Sequence, residues 1–142
     1  MTETVREVVI DASVALAWCF PDEASDYADA VLAALEDQTI LVPAIWSAEI
    51  ANALLVGERR KRLRQSDAQR FVELLKGLTI LEDAQPFADT ISNLLPLARE
   101  HNLSAYDAAY LDTAVRNRAP LSTLDSALQK AARAAGIKIF KG

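Results

Sequence analysis

One cysteine and one histidine in 142 residues leave little room for thiol or imidazole chemistry. Cys19 has no partner for an internal disulfide, and its place in the apolar run Leu16 to Phe20 reads as a small core residue. His101 falls in the turn after a predicted helix and reads as plain surface rather than a general base. Glycine is also scarce: Gly57, Gly77, Gly136 and Gly142 build no phosphate-cradling loop. No apolar run approaches the roughly 18 residues that span a membrane. The start, Thr2 to Glu7, lacks the pattern of a signal peptide, so a cytoplasmic location without membrane contact is the expectation. Positive charge is in deficit too. The net charge of −5 and pI near 4.9 argue mildly against a nucleic-acid partner, unless a bound cation supplies the missing charge locally.

What is present is a 51% hydrophobic chain with 25% charged residues, long enough for one domain over residues 1–142 with a real core. Val8, Val9 and Ile10 predict a buried strand over 7–11, followed by a helix from Ser13 to Phe20 that stops before Pro21. Further helices are expected over 22–37, 44–63, 66–76 (with Ser66 as N-cap), 86–100, 104–116 and 125–135. Pro96 is expected to kink the fourth of these. Strands are expected over 40–42, 79–81, 121–123 and 137–140. This alternation predicts an α/β fold: a central parallel sheet of about five strands, covered by helices on both faces. The two helices inserted between the second and third strands are its irregular part and a candidate partner contact.

Four acids stand out by their settings. Asp11 ends a strand just before a helix, where open α/β sheets place ligands, although it can equally cap the turn with Ser13. Asp125 repeats that setting after Thr123, and it too can be an N-cap. Glu49 lies among apolar residues, with Asn52 three residues on and on the same helix face; a first-turn acid on the helix dipole is an equal reading. Asp107 is ringed by Ala105, Ala108 and Ala109 and also fits a capping box with Ser104. Asp112, about 140° further round that helix, should face elsewhere, as an exposed acid or a polar contact of its own. Gathered at one sheet edge, four acids repel: a pair at 4 Å costs ~1 kcal/mol in water and ~4 at an effective dielectric of 20. A hard divalent cation, Mg²⁺ or Mn²⁺, would resolve that repulsion and could activate water against a phosphate.

The segments Val9-Ile10-Asp11-Ala12-Ser13, Ala48-Glu49-Ile50-Ala51-Asn52, Ser104-Ala105-Tyr106-Asp107-Ala108 and Leu121-Ser122-Thr123-Leu124-Asp125 together resemble the PIN-domain family. The resemblance is greatest to the VapC-type toxins of bacterial toxin–antitoxin pairs. It implies a three-layer parallel-sheet fold and an endoribonuclease dependent on Mg²⁺ or Mn²⁺, with Asp11, Glu49, Asp107 and Asp125 on the family's acidic positions. Ser13, Asn52 and Thr123 fall on its polar supporting positions. An RNA substrate, a cognate antitoxin and a homodimer are implied as well. Asp112 is the departure, an acid where an apolar residue is expected.

The cluster Arg59, Arg60, Lys61, Arg62 and Arg64 reads as a solvated helix end, an RNA phosphate contact, or a surface for an acidic antitoxin segment; Arg59, Arg60 and Arg62 are the candidates. Trp18 and Trp46 read as core or interface. A non-catalytic interaction module is the alternative in a different class. An aspartyl-phosphate phosphotransferase would want Asp-x-Asp, and Asp11 is followed by Ala12-Ser13.

Overall fold

The computed structural model describes residues 6–142; the reading of Thr2 to Val5 as no signal peptide lies outside them. The chain runs β1 (Arg6–Ile10), α1 (Ala12–Ala17), a 3₁₀ turn (Pro21–Glu23), α2 (Asp26–Ala34), β2 (Gln38–Pro43), α3 (Ile45–Arg59) and α4 (Gln65–Lys76). It continues through β3 (Ile80–Asp83), α5 (Phe87–His101), α6 (Ala105–Asn117), β4 (Leu121–Ser122) and α7 (Ser126–Ala134). The sheet is parallel in the order β3-β2-β1-β4, flanked by the seven helices.

The β-branched runs occupy the middle of this sheet. Val8, Val9 and Ile10 of β1 and Ile40 and Val42 of β2 are at most 1% exposed, as strands covered on both faces require. Burying one such side chain is worth roughly 1.5–3 kcal/mol. The edge strand β3 is different: Leu81 and Glu82 face solvent, and its charged residues blunt the open edge. Helix α6 packs on β1 and β2 through Ala108, Leu111 and Ala114, all fully buried, and α5 lies against α6. Trp46 is buried, and Trp18 donates from its ring N–H to the Ala28 carbonyl at 2.8 Å, so both tryptophans are structural.

Several boundaries differ from expectation. The helix over 22–37 divides because Ser25 caps α2, accepting from the Ala28 amide at 3.0 Å, and leaves the Pro21–Glu23 turn outside. The long helix over 44–63 stops at Arg59, with Lys61 left-handed at φ 59°. Arg62 is then drawn back over the Phe20 ring, 4.4 Å from its centroid, and onto Asp22 and Glu23 at 2.9 Å. Gly57 makes room for this: a β-carbon there would sit 2.8 Å from the Phe20 ring. Ser66 is not an N-cap. Arg64 holds that position, and the Asp67 carboxylate accepts from its amide at 3.1 Å. Helix α5 continues through Pro96 as one helix, and His101 closes it with its side chain only 12% exposed, not in an exposed turn. The fifth strand reduces to one bridge, Leu121 to Ile139, because α7 and its Gly136 turn leave little chain to pair.

Candidate active site

All four predicted acids lie at the carboxyl edge of the sheet or on the helices beside it. Asp11 follows β1 and caps α1, so its position is set by strand and helix together. Its amide donates to the Ser122 carbonyl at 2.9 Å, which ties the ends of β1 and β4. Its Oδ2 accepts from the Thr123 hydroxyl at 2.6 Å and from the Ser13 hydroxyl at 3.0 Å, and its Oδ1 from the Ser13 amide at 3.3 Å. The side chain is held in one orientation while 94% of the residue is shielded, its exposure being 6%. The cap on α1 therefore leaves Asp11 at the carboxyl edge of the sheet. The same Thr123 hydroxyl accepts from the Asp125 amide at 3.0 Å, and Asp125 caps α7 through the Ala127 amide at 3.1 Å. One buried threonine thus aligns two acids.

Glu49 is held from another element. Its Oε1 accepts from the Tyr110 hydroxyl at 2.6 Å, joining α3 to α6. Tyr110 is fully buried, and burial together with the Glu49 charge pushes its phenol far above the ordinary range, so it stays a donor. Asp107 sits one turn before Tyr110, with its amide bonded to the Ser104 hydroxyl at 3.1 Å.

Burial pushes the Asp11 carboxyl up, against the pull of Thr123 and Ser13, and the charge of Asp125 adds to the rise. Burial also raises Glu49; its bond from Tyr110 opposes this, and the charges of Asp11 and Asp107 reinforce it. Asp107 rises through burial, then through the charges of Asp11 and Asp125. Every ion pair among the described residues lies elsewhere, and none neutralises these four acids. No three of their carboxylates close into a cage on their own. Their charges nevertheless reach one another, each of Asp11, Glu49 and Asp107 being raised in part by another of the four. Hard oxygen donors on an open edge fit Mg²⁺ or Mn²⁺, which keep several waters.

The supporting positions divide. Ser13 and Thr123 are bonded to Asp11, and Ser13 Oγ also accepts from the Leu124 amide at 3.3 Å. Asn52 is exposed and makes no hydrogen bond among the described residues, so it does not hold Glu49. Arg59 and Arg60 are exposed and make no ion pair among the described residues, whereas Arg62 is committed to Asp22 and Glu23. Asp112 is no surface acid. It pairs with Arg116 at 2.8 Å, and Arg116 also reaches Asp83 at 2.6 Å. The sequence reading missed Tyr110 and Gln129, which donates to the Thr123 carbonyl at 2.9 Å. Tyr110 had a signal: it lies three residues after Asp107 on the same helix face.

The PIN domain family model matches residues 8–134. Ribonuclease VapC3 of Pyrobaculum aerophilum is 30% identical over 122 residues, covering 86% of this chain and 92% of its own. This chain belongs to the PIN domain family. A crystal structure of another Pyrobaculum aerophilum protein superposes with a TM-score of 0.65 at 27% identity, covering 89% of this chain and 79% of that one. VapBC2 of Rickettsia felis, crystallised with a DNA fragment from its promoter, superposes at 0.66 over 94% of this chain and 97% of that one, with 16% identity, a likeness of fold alone. The PIN match spans all four acids, from the end of β1 to the cap of α7.

Proposed function

We propose that this PIN-domain chain, one domain over 1–142, is a VapC-type endoribonuclease and the toxin half of a toxin–antitoxin pair. Asp11, Glu49, Asp107 and Asp125 are its divalent-cation ligands. One observation carries the reading: four acids from four segments share an edge, three with carboxyls pushed up, and no cation among the described residues pairs with them. The ribonuclease named among its relatives supports RNA as substrate. Bound Mg²⁺ or Mn²⁺ would supply positive charge to the scissile phosphate and lower the pKa of water. The chain does the positioning. Thr123 and Ser13 fix Asp11, Tyr110 fixes Glu49, and the α7 cap fixes Asp125. Hydrolysis by water leaves a 5′-phosphate and a 3′-hydroxyl.

An uncontrolled ribonuclease harms its host, so a cognate antitoxin is part of the proposal, docked on the inserted helices α3 and α4. Of Leu54, Leu55 and Val56, it is Leu55 that is exposed, and Leu74 on α4 is exposed with it. A homodimer and a cytoplasmic setting complete the reading; no described helix is long and apolar enough to cross a membrane. The test has two arms. Purified protein is expected to cleave RNA with Mg²⁺ or Mn²⁺ and to stop in excess EDTA. Induced alone it is expected to arrest growth, whereas the Asp11→Asn variant, or co-expression with the adjacent small gene, restores growth. Full cleavage in EDTA would overturn the metal mechanism. Arrest by Asp11→Asn would show that toxicity is not catalytic.

A further inference from the structure

A cavity of about 470 Å³ lies between the start of α3, α5 and α6, lined by none of the four acids themselves. Its walls are carbon-rich, with Ala48, Ala105 and Ala109 among them. It adjoins the site through sequence neighbours, since Ala48 precedes Glu49 and Tyr106 precedes Asp107. Tyr106 also lines it and is 63% exposed, in contrast to the buried Tyr110. Asp83, Asp112 and Arg116 are its charged lining residues. Arg116 bonds Asp83 at 2.6 Å and Asp112 at 2.8 Å through Oδ2, and Asp112 Oδ1 has no hydrogen-bond partner among the described residues.

Two carboxylates against one guanidinium leave the charged lining net acidic, which disfavours a phosphate there. A carboxylate oxygen with lone pairs to spare accepts N–H donors. The cavity thus asks for a flat, neutral group that stacks on an aromatic ring and carries N–H groups on its edge. An unstacked base of single-stranded RNA has that form. Guanine fits best, because its N1–H and N2–H₂ lie side by side and can meet one carboxylate, whereas adenine and cytosine place a ring acceptor beside their amino group.

We propose that this cavity is a nucleobase subsite, taking a guanine next to the scissile phosphate, with Tyr106 as its stacking platform and Asp112 as its reader. The inference rests on the ribonuclease reading.

The experiment uses the Asp11→Asn protein without metal, so that nothing is cleaved. The four ribonucleoside 5′-monophosphates are titrated while backbone amide resonances are followed. The expected result is shifts at Ala48, Ala105, Ala109 and Thr113, with guanosine monophosphate bound about tenfold tighter than the others. Adding Asp112→Asn, checked for fold by thermal melting, is expected to erase that preference. Tyr106→Ala, at an exposed position, is expected to weaken all four alike. Absence of shifts at these amides, or a preference untouched by Asp112→Asn, overturns the proposal. A Tyr106→Ala variant that loses dimerisation without affecting nucleotide binding also overturns it and assigns the cavity to a second copy of the chain. Binding of a Lys- or Arg-bearing peptide in place of any nucleotide overturns it in favour of a protein partner. Cleavage assays of the unmodified protein keep the two readings apart. Cleavage with a base preference that survives Asp112→Asn leaves the nuclease and removes the subsite. Guanosine binding without cleavage in Mg²⁺ or Mn²⁺ leaves the pocket and removes the nuclease.

Discussion

Two groups of acids in this molecule have opposite electrostatic fates. Asp83 and Asp112 share Arg116, whose guanidinium is lowered by burial but held above its ordinary value by hydrogen bonds to Asp83 and Asp112. Asp11, Glu49, Asp107 and Asp125 share no cation among the described residues; instead the Thr123 and Ser13 hydroxyls donate to Asp11 and the Tyr110 hydroxyl to Glu49, orienting these two without neutralising them. The contrast separates acids that share a cation of the fold from acids that pair with none among the described residues. Residue type alone would not distinguish them, because each group has an aspartate on the same helix, Asp107 and Asp112 of α6.

The sharpest way to break this contrast is Asp11→Asn. We expect RNA cleavage to fall by ~100-fold or more, beyond the loss typical of a supporting residue. Metal-free stability should hold or rise, because one of four repelling charges is gone. Cleavage rates and melting curves check both halves; a large drop in Tm would show that Asp11 is primarily a structural cap.

Thr123→Val comes next. It removes the hydroxyl that serves both the Asp11 carboxylate and the Asp125 amide, and a 10–100-fold loss of activity or of metal affinity is expected. Activity within twofold of the parent would mean that Asp11 needs no such alignment.

Arg116→Met tests the other group. Loss of two hydrogen bonds to carboxylates at a partly buried site should cost roughly 1–3 kcal/mol, read by urea unfolding. Metal affinity should not change, and a coupled loss of metal binding would merge the two groups.

The smallest effect is in pH dependence. Asp11, Glu49 and Asp107 have folded pKa values above their unfolded ones. The folded state then binds more protons between the two values, so stability declines as pH rises through the folded pKa. Metal-free protein should therefore gain from mildly acidic conditions just above the ordinary carboxylate range. Asp11→Asn should flatten that slope, and Mg²⁺ should shift the maximum toward neutral pH. Melting curves across pH, with and without Mg²⁺, check the sign.

Much of this was legible in the sequence. The apolar runs 8–10 and 40–42 announce buried parallel strands, and the strand-end settings of Asp11 and Asp125 announce a site. Other features depend on contacts distant in sequence. Nothing local to Arg62 says that it will fold back 40 residues onto Asp22, which ends α3 early and takes one arginine out of the basic surface. The pairing of Asp112 with Arg116 follows helix spacing and could be read from sequence; its extension to Asp83 on β3 could not. Asn52 shares a helix face with Glu49, as spacing requires, yet that face turns to solvent at Asn52. The last strand faded because a single bridge leaves the same alternating pattern as a full ladder.

The central claim is that the four acids are a cation site. Its most direct test is the melting temperature of the protein and of its Asp11→Asn variant, with and without Mn²⁺. A cation that binds only the folded state stabilises it by about 2.7 kcal/mol at a hundred times its Kd. The account predicts that Mn²⁺ raises the Tm of the parent protein by several degrees and leaves Asp11→Asn nearly unmoved. Equal shifts in both proteins, or none in the parent at millimolar Mn²⁺, would contradict it.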